Sequence, residues 1–403
     1  MATPKFDYAL DIKSAWPPRR RPKPPYDPSA IEVMRSCALR SLFEISPGYQ
    51  RRMGFAARIG AAFHRALQSL NERPLPSGSM EEAAEEARRR FQFELKIQEE
   101  QADQRPRERG LSRDQERASR AAEALVVEAL RILGQGGPAH RPAHAGQHSP
   151  LVNASQGLED AVASELPRVE VEVPVQSKDS LFRGRVDRAE HRSDGTWLFD
   201  YKAALRGDLP ERYVRQLQLY AFMWHDARGQ WPVQARVLYP LAGRVHPVDI
   251  DPGLCQQVAA ESVETVSRLQ EVTRIEHLAT PGDVCKVCEF RPWCEPFWRW
   301  HAQEPSPTIA LENAVVGFEG QIRHIALENH RWRLRIAWRN AAIQLHAPEE
   351  RLPQLANADV GTRVRVLDTA LRGLRHHPKA TITGLSELFL VRHPGPRENA
   401  ERE

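Results

Sequence analysis

The stretch Leu181-Phe182-Arg183-Gly184-Arg185-Val186-Asp187-Arg188-Ala189, followed after Asp194-Gly195 by Thr196-Trp197-Leu198-Phe199-Asp200-Tyr201-Lys202-Ala203, decides the fold. Two strand-like runs flank a dipeptide suited to a tight turn, so a β-hairpin is expected over Leu181–Ala189 and Thr196–Ala203. Residues two apart on a strand share a face. Asp200 and Lys202 therefore project together, Phe199 and Tyr201 turn away, and antiparallel pairing can bring Asp187 alongside them.

Working outward, Val169 to Val175 alternates with period two, as a half-buried strand does. An amphipathic helix is expected from about Pro210 to Asp226. Two strands follow (Val233–Tyr239, Arg244–Ile250), and then a helix that Asp251-Pro252 opens and that runs to about Val272. Upstream, Ile31, Met34, Leu39 and Leu42 form one helical stripe with Cys37 inside it. A second helix over Ala56–Leu70 buries Ile59, Phe63, Ala66 and Leu67 and carries His64. This order predicts an α/β core with a mixed sheet flanked by helices.

Residues 80 to about 156 read as an insertion. Its charged helices, Glu81–Gln98 and Ser112–Leu133, suggest a lid or clamp, and they lead into a Gly/Pro/His-rich loop whose His140, His144 and His148 are read as loop residues. Residues 1–28 are Pro-rich and basic, which predicts a tail. The core domain is expected over 29–302. Beyond Pro305-Ser306-Pro307, five short strand candidates (Ala314–Ile325, Trp332–Trp338, Ala341–His346, Thr362–Leu367, Leu385–Val391) predict a small all-β barrel over 308–395, OB-like or SH3-like. On its second strand, Arg331, Arg333 and Arg335 alternate beside Trp332 and Trp338. That arrangement suits an electrostatic groove with stacking platforms for a nucleic-acid strand, and equally an ordinary solvated strand face.

The 403 residues are 41% hydrophobic and 27% charged, which fits a folded globular chain and excludes fibrous classes. No apolar run reaches the length of a membrane span and no signal peptide opens the chain, so a cytoplasmic protein is expected. The net charge of +4 permits a polyanionic partner without requiring one.

Two carboxylates and a lysine on one face suit phosphodiester hydrolysis. The acids hold Mg²⁺ or Mn²⁺, the cation lowers the pKa of its water, and the amine orients that water or stabilises charge on the phosphate. Asp-x-Lys on a strand is also a common surface pair, so its neighbours matter. Gln216 and Tyr220, spaced i,i+4, share a helix face that can reach over the hairpin. His64 adds an imidazole, although a histidine beside a phenylalanine is equally a core residue. Cys285-Lys286-Val287-Cys288 with Cys294 forms a C-x₂-C-x₅-C knuckle, and in a compartment that keeps thiols reduced such spacing points to a metal centre rather than disulfides.

The series Gly60-x-x-x-His64, Gly184-Arg185-Val186-Asp187, Asp200-Tyr201-Lys202 and Gln216-x-x-x-Tyr220 resembles the RecB-like branch of the PD-(D/E)xK nucleases, including the CRISPR-associated iron–sulfur exonucleases and nuclease domains of the AddB type. The similarity spans about residues 31 to 298. It implies a restriction-endonuclease-like core in which His64, Asp187, Asp200 and the Tyr201 carbonyl bind the divalent metal. Lys202 would position water, and Gln216 with Tyr220 would support the site. It also implies Cys37 as a fourth ligand joining Cys285, Cys288 and Cys294 around a [4Fe-4S] cluster, with zinc as the rival. Cys255 is read as a small buried hydrophobe, and Phe290, Trp293, Phe297 and Trp298 either stack on DNA or shield the cluster. The implied activity is an exonuclease on single-stranded or end-opened DNA. The chain has no Gly-x₄-Gly-Lys-Ser/Thr phosphate loop, so any unwinding would come from a helicase or a repair or defence partner. A non-catalytic DNA-binding or assembly subunit is the competing reading, against which the intact Asp187, Asp200 and Lys202 speak.

Overall fold

The computed structural model describes residues 9–11, 17–18, 20–49, 51–73, 75–76, 79–105, 107–108, 114–134, 167–205, 207–303, 314–372, 378–382 and 385–392. The expected loop histidines His140, His144 and His148 and the Pro305-Ser306-Pro307 linker lie outside them. The chain divides into two compact units, one of Pro22–Arg35 with Met53–Glu271, the other of Met1–Arg21, Ser36–Arg52 and Val272–Glu403. Residues 272–302, expected with the core domain, thus belong with the barrel.

The first unit holds most of helix α1 (Pro28–Ser36), then α3 (Phe55–Glu72), α4 (Met80–Gln104) and α5 (Gln115–Gly134). A five-stranded sheet follows, with β2 (Arg168–Gln176), β3 (Arg183–Arg192), β4 (Gly195–Tyr201), β5 (Gln234–Tyr239) and β6 (Arg244–Val248) side by side in that order. Helix α6 (Glu211–Arg228) links β4 to β5, the one parallel pair, as a parallel connection requires a crossover. The other pairs are antiparallel, and α7 (Pro252–Glu271) closes the unit. The sheet is therefore mixed and sits in an α/β fold, as expected.

The apolar stripe of α3, with Ile59, Phe63, Ala66 and Leu67, packs into a core shared with Ala87 and Phe91 of α4, Leu125 and Ala129 of α5, and Val169, Val171, Phe199 and Tyr201 of the sheet. The two described helices of the insertion are therefore part of this core. Their alanine-rich faces let α4 and α5 lie close against α3 and the sheet, and a Ser79–Glu82 capping box fixes the start of α4.

The second unit contains α2 (Ala38–Ile45), a run of 3-10 turns, α8 (Glu295–Gln303) and strands β7 (Ala314–Glu328), β8 (Arg331–Trp338), β9 (Ala341–Pro348), β10 (Arg363–Arg372), β11 (Lys379–Thr381) and β12 (Glu387–Arg392). The pairings run β7-β8-β9-β11-β10 and return from β10 to β7, a closed five-stranded barrel with β9 and β11 parallel. This is the OB-like arrangement. Its fifth strand is the three-residue β11, whereas the segment expected in that place forms β12 and pairs with β10.

Three further expectations change. Cys37 is not inside a helix but caps α2 in extended backbone, φ −164° and ψ 102°. The five-residue step from Met34 to Leu39 breaks the three-to-four spacing of one continuous helix. The 1–28 segment contributes a strand, β1 (Ala9–Asp11), parallel to β12, and a buried Tyr26, so it is not simply a tail. Trp332 and Trp338 lie in the barrel core with Leu334 and Ile336, because alternation puts them on the face opposite the arginines.

Candidate active site

The site is built on the sheet face opposite the α3–α5 core. Arg188 stands opposite Phe199 and Val171 opposite Arg188, so Asp187, on the other face, lies between Glu172 of β2 and Asp200 of β4. The Tyr201 amide donates to Asp187 Oδ2 at 2.6 Å. His64 Nδ1 of α3 lies 3.4 Å from Asp187 Oδ1 and 3.7 Å from Glu172 Oε1. Together His64, Glu172 and Asp187 offer ligand atoms within 4.8 Å of one another, the only such trio among the described residues.

Lys202 Nζ donates to Asp200 Oδ1 at 3.0 Å and to Gln216 Oε1 at 3.2 Å, while Gln216 Nε2 reaches Asp200 Oδ1 at 3.4 Å. The Tyr213 ring lies 4.5 Å beneath the ammonium. Tyr220 is buried on the same helix, and its ring packs where a side chain on Gly184 would stand. A Cβ there would meet Tyr220 Cε1 at 2.8 Å and Pro28 Cδ at 2.9 Å, which is why residue 184 is glycine.

Charge is concentrated here. Burial lifts the Asp200 carboxyl to about 6, with Lys202 pulling it down and the Asp187 charge adding to the lift. Burial opposes ionisation of Asp187 too, but His64 and Lys202 hold it below the usual range. Burial pulls His64 down, yet Asp187 and Glu172 outweigh it and raise the imidazole to about 10. Crowded acids needing cationic company are what a metal site looks like before its ion is counted.

Beneath the site, on the other sheet face, Glu128 of α5 accepts from the Tyr201 hydroxyl at 2.6 Å and from Arg188 Nη1 at 2.6 Å. The insertion thus braces the end of β4 that carries Asp200.

Sequence reasoning missed Glu172 and Tyr213. Glu172 looked like the polar half of an alternating strand. In the structure it has φ +53°, a left-handed conformation in mid-strand that aims its carboxylate at His64 and Asp187.

In the second unit, Cys37, Cys285, Cys288 and Cys294 line one narrow pocket with Phe43, Arg291 and Phe297. Burial pushes the Cys288 thiol up to about 11 and raises Cys285 and Cys294 as well, and the Cys37 charge adds to each. Phe290, Trp293, Phe297 and Trp298 are buried, with Phe43 stacked on Phe290 at 5.4 Å, so these rings pack the pocket's surroundings rather than offer a stacking surface. Cys255 is fully buried in α7, its thiol pushed up to about 12 by burial.

The sequence profile of the PD-(D/E)XK nuclease superfamily matches residues 27–295, and the chain belongs to that superfamily of metal-dependent nucleases. Nothing among the curated proteins matches. Among solved structures, the tetrameric p202 HIN2 shares 15% identity over 20% of this chain and 43% of its own, with a TM-score of 0.18. A murine DNA-binding protein bound with double-stranded DNA shares 10% over 57% and 98%, with a TM-score of 0.20. The chain spans less than half of the first. Likenesses at these TM-scores carry no argument about fold or function. Among the described residues, no helix is long and apolar enough to cross a membrane.

Proposed function

We propose that this protein is a Mg²⁺- or Mn²⁺-dependent deoxyribonuclease that hydrolyses single-stranded or end-opened DNA as a RecB-like exonuclease. The observation that carries the reading is the row Glu172, Asp187, Asp200 across one sheet face, with Lys202 held at its end. Carboxylate oxygens and one imidazole suit a hard divalent cation, so His64, Glu172, Asp187, Asp200 and the Tyr201 carbonyl are its candidate ligands. When bound, the cation supplies a water of lowered pKa and offsets charge on the phosphate.

The protein's own groups do the rest. Lys202, fixed by Asp200 and Gln216, presents an ammonium that orients the attacking water and stabilises the phosphate's developing charge. Gln216 keeps that amine from collapsing wholly onto Asp200, and Tyr220, packed on Gly184, sets the spacing of α6 from the hairpin. In a non-catalytic assembly subunit, this buried ammonium–carboxylate pair would be a desolvation cost without a return. An ATP-driven helicase, or a repair or defence partner, would supply any unwinding.

Cys37, Cys285, Cys288 and Cys294 are proposed as ligands of a [4Fe-4S] cluster. What supports a shared centre is that the four cysteines line one narrow pocket, with zinc as the rival occupant. Such a cluster would clamp α2 to the segment before α8, closing a long loop.

The test is degradation of end-labelled single strands with Mn²⁺ or Mg²⁺ by wild type, Asp200→Ala and Lys202→Ala. Each variant is expected to lose at least about a hundredfold in rate, the scale of one preorganised charge at a reacting centre. Equal activity in all three rejects the assignment.

A further inference from the structure

We infer that the outer face of the barrel, across β11, β9, β8 and β7, binds the phosphate backbone of an extended single strand of DNA without stacking on its bases. This rests on the nuclease reading only for the identity of the polymer. The residues themselves come from the pairing registers. One row across the face is Lys379, Gln344, Arg335 and His324; the next includes His346 and Arg333; Arg331 follows one step further along β8.

Arg331, Arg333, Arg335 and Lys379 are all exposed. Of these cations, Arg333 alone has an ion-pair partner among the described residues, Glu328 at 3.0 Å. A solvated sheet face ordinarily mixes charge signs, because like charges on neighbouring positions destabilise it. Here Arg331, Arg333, Arg335 and Lys379 stand against one paired acid, Glu328, which lies opposite Arg331, and such an excess of one sign marks an oppositely charged partner. Alternate residues on β8 stand roughly 7 Å apart, a pitch that successive phosphates of an extended single strand can follow. The same alternation turns Trp332 and Trp338 into the core, which removes the aromatic platforms that would read or stack bases. The grip is therefore electrostatic, indifferent to sequence and sensitive to salt.

The test uses the full chain in EDTA, where no divalent ion supports cleavage, and a mixed-sequence fluorescein-labelled single strand followed by anisotropy across a salt series. For the triple variant Arg331→Gln, Arg333→Gln, Arg335→Gln, affinity is expected to fall at least about tenfold. The slope of log K against log salt should become shallower by about 2, at roughly 0.7 for each lost phosphate contact. Lys379→Glu, on a different strand, should weaken binding in the same direction, and circular dichroism checks that both variants are folded. Homopolymeric strands should bind wild type alike. Unchanged affinity and slope in both folded variants overturn the proposal, as does a preference for an acidic peptide or for duplex over the single strand. Hydrolysis of bis(p-nitrophenyl) phosphate with Mn²⁺ separates the two readings. The triple variant should keep that rate, and a wild type that binds strands through this face yet never cleaves the ester would refute catalysis while leaving the barrel face standing.

Discussion

The Tyr201 amide hydrogen-bonds Asp187 Oδ2 at 2.6 Å, so the strand end that presents Asp200 and Lys202 is tied directly to the carboxylate of the strand before it. The tie fixes the two acids in one register, and Glu128 holds the Tyr201 hydroxyl from the opposite face. Geometry at the site therefore depends on packing as much as on the acids themselves.

Glu172 is expected to be a site residue held at a conformational cost. At φ +53° a side chain costs about 1–2 kcal/mol that glycine avoids. Glu172→Gly should then be more stable than Glu172→Ala, the reverse of the usual order in a strand. Both should bind Mn²⁺ at least about tenfold more weakly than wild type. Urea midpoints and Mn²⁺ titrations decide; alanine more stable than glycine, or undiminished metal binding in both, contradicts the reading.

Gly184→Ala should damage the support of the site rather than its chemistry. The new methyl group would meet Tyr220 Cε1 at 2.8 Å, Pro28 Cδ at 2.9 Å and Asp27 Oδ2 at 3.0 Å. Overpacking of that kind costs about 1–3 kcal/mol. Denaturant unfolding should show the loss, and a wild-type midpoint would mean that α6 is free to shift.

For the cysteines, purified protein should be brown, with broad visible absorption. Serine at Cys37, Cys285, Cys288 or Cys294 should abolish the colour and lower the melting temperature, whereas Cys255→Ser should keep the colour. In the native protein Cys255 should also resist alkylation at pH 8, since burial holds its thiol up to about 12 and the thiolate is the reactive form. A colourless, zinc-loaded and correctly folded preparation would remove the cluster.

The barrel unit should weaken in acid through Glu319. Burial raises its carboxyl, but Arg365 and Arg363 outweigh that and hold it below the ordinary 4.5. A depressed folded value means that the contribution is present above the unfolded pKa and fades as pH falls through the folded one. Glu319→Gln should thus cost about 1–3 kcal/mol at pH 7, since Arg365 is only 2% exposed and loses a partner. The gap from wild type should close at low pH; a gap that persists there would assign the effect to packing.

The hairpin of Asp187, Asp200 and Lys202 was legible because a turn dipeptide and a two-residue period fix both pairing and face locally. Gln216 and Tyr220 followed from helical spacing. Glu172 was hidden because its role depends on which β3 residue it faces, and register between strands is not written in either strand alone. The burial of Trp332 could have been read, since strict alternation in Arg331-Trp332-Arg333-Leu334-Arg335-Ile336 groups it with the apolar set. Strand β11 is three residues long and carries too little pattern to announce itself. The helix break at Cys37 was signalled only by one irregular step in the stripe.

The most direct measurement is a crystal structure of the protein soaked in Mn²⁺, read by anomalous scattering at the manganese edge. A peak should appear between Asp187 and Asp200, within bonding distance of both and of His64, with Glu172 contributing. A peak elsewhere, or none at these residues while Mn²⁺ still supports DNA cleavage, would contradict the account.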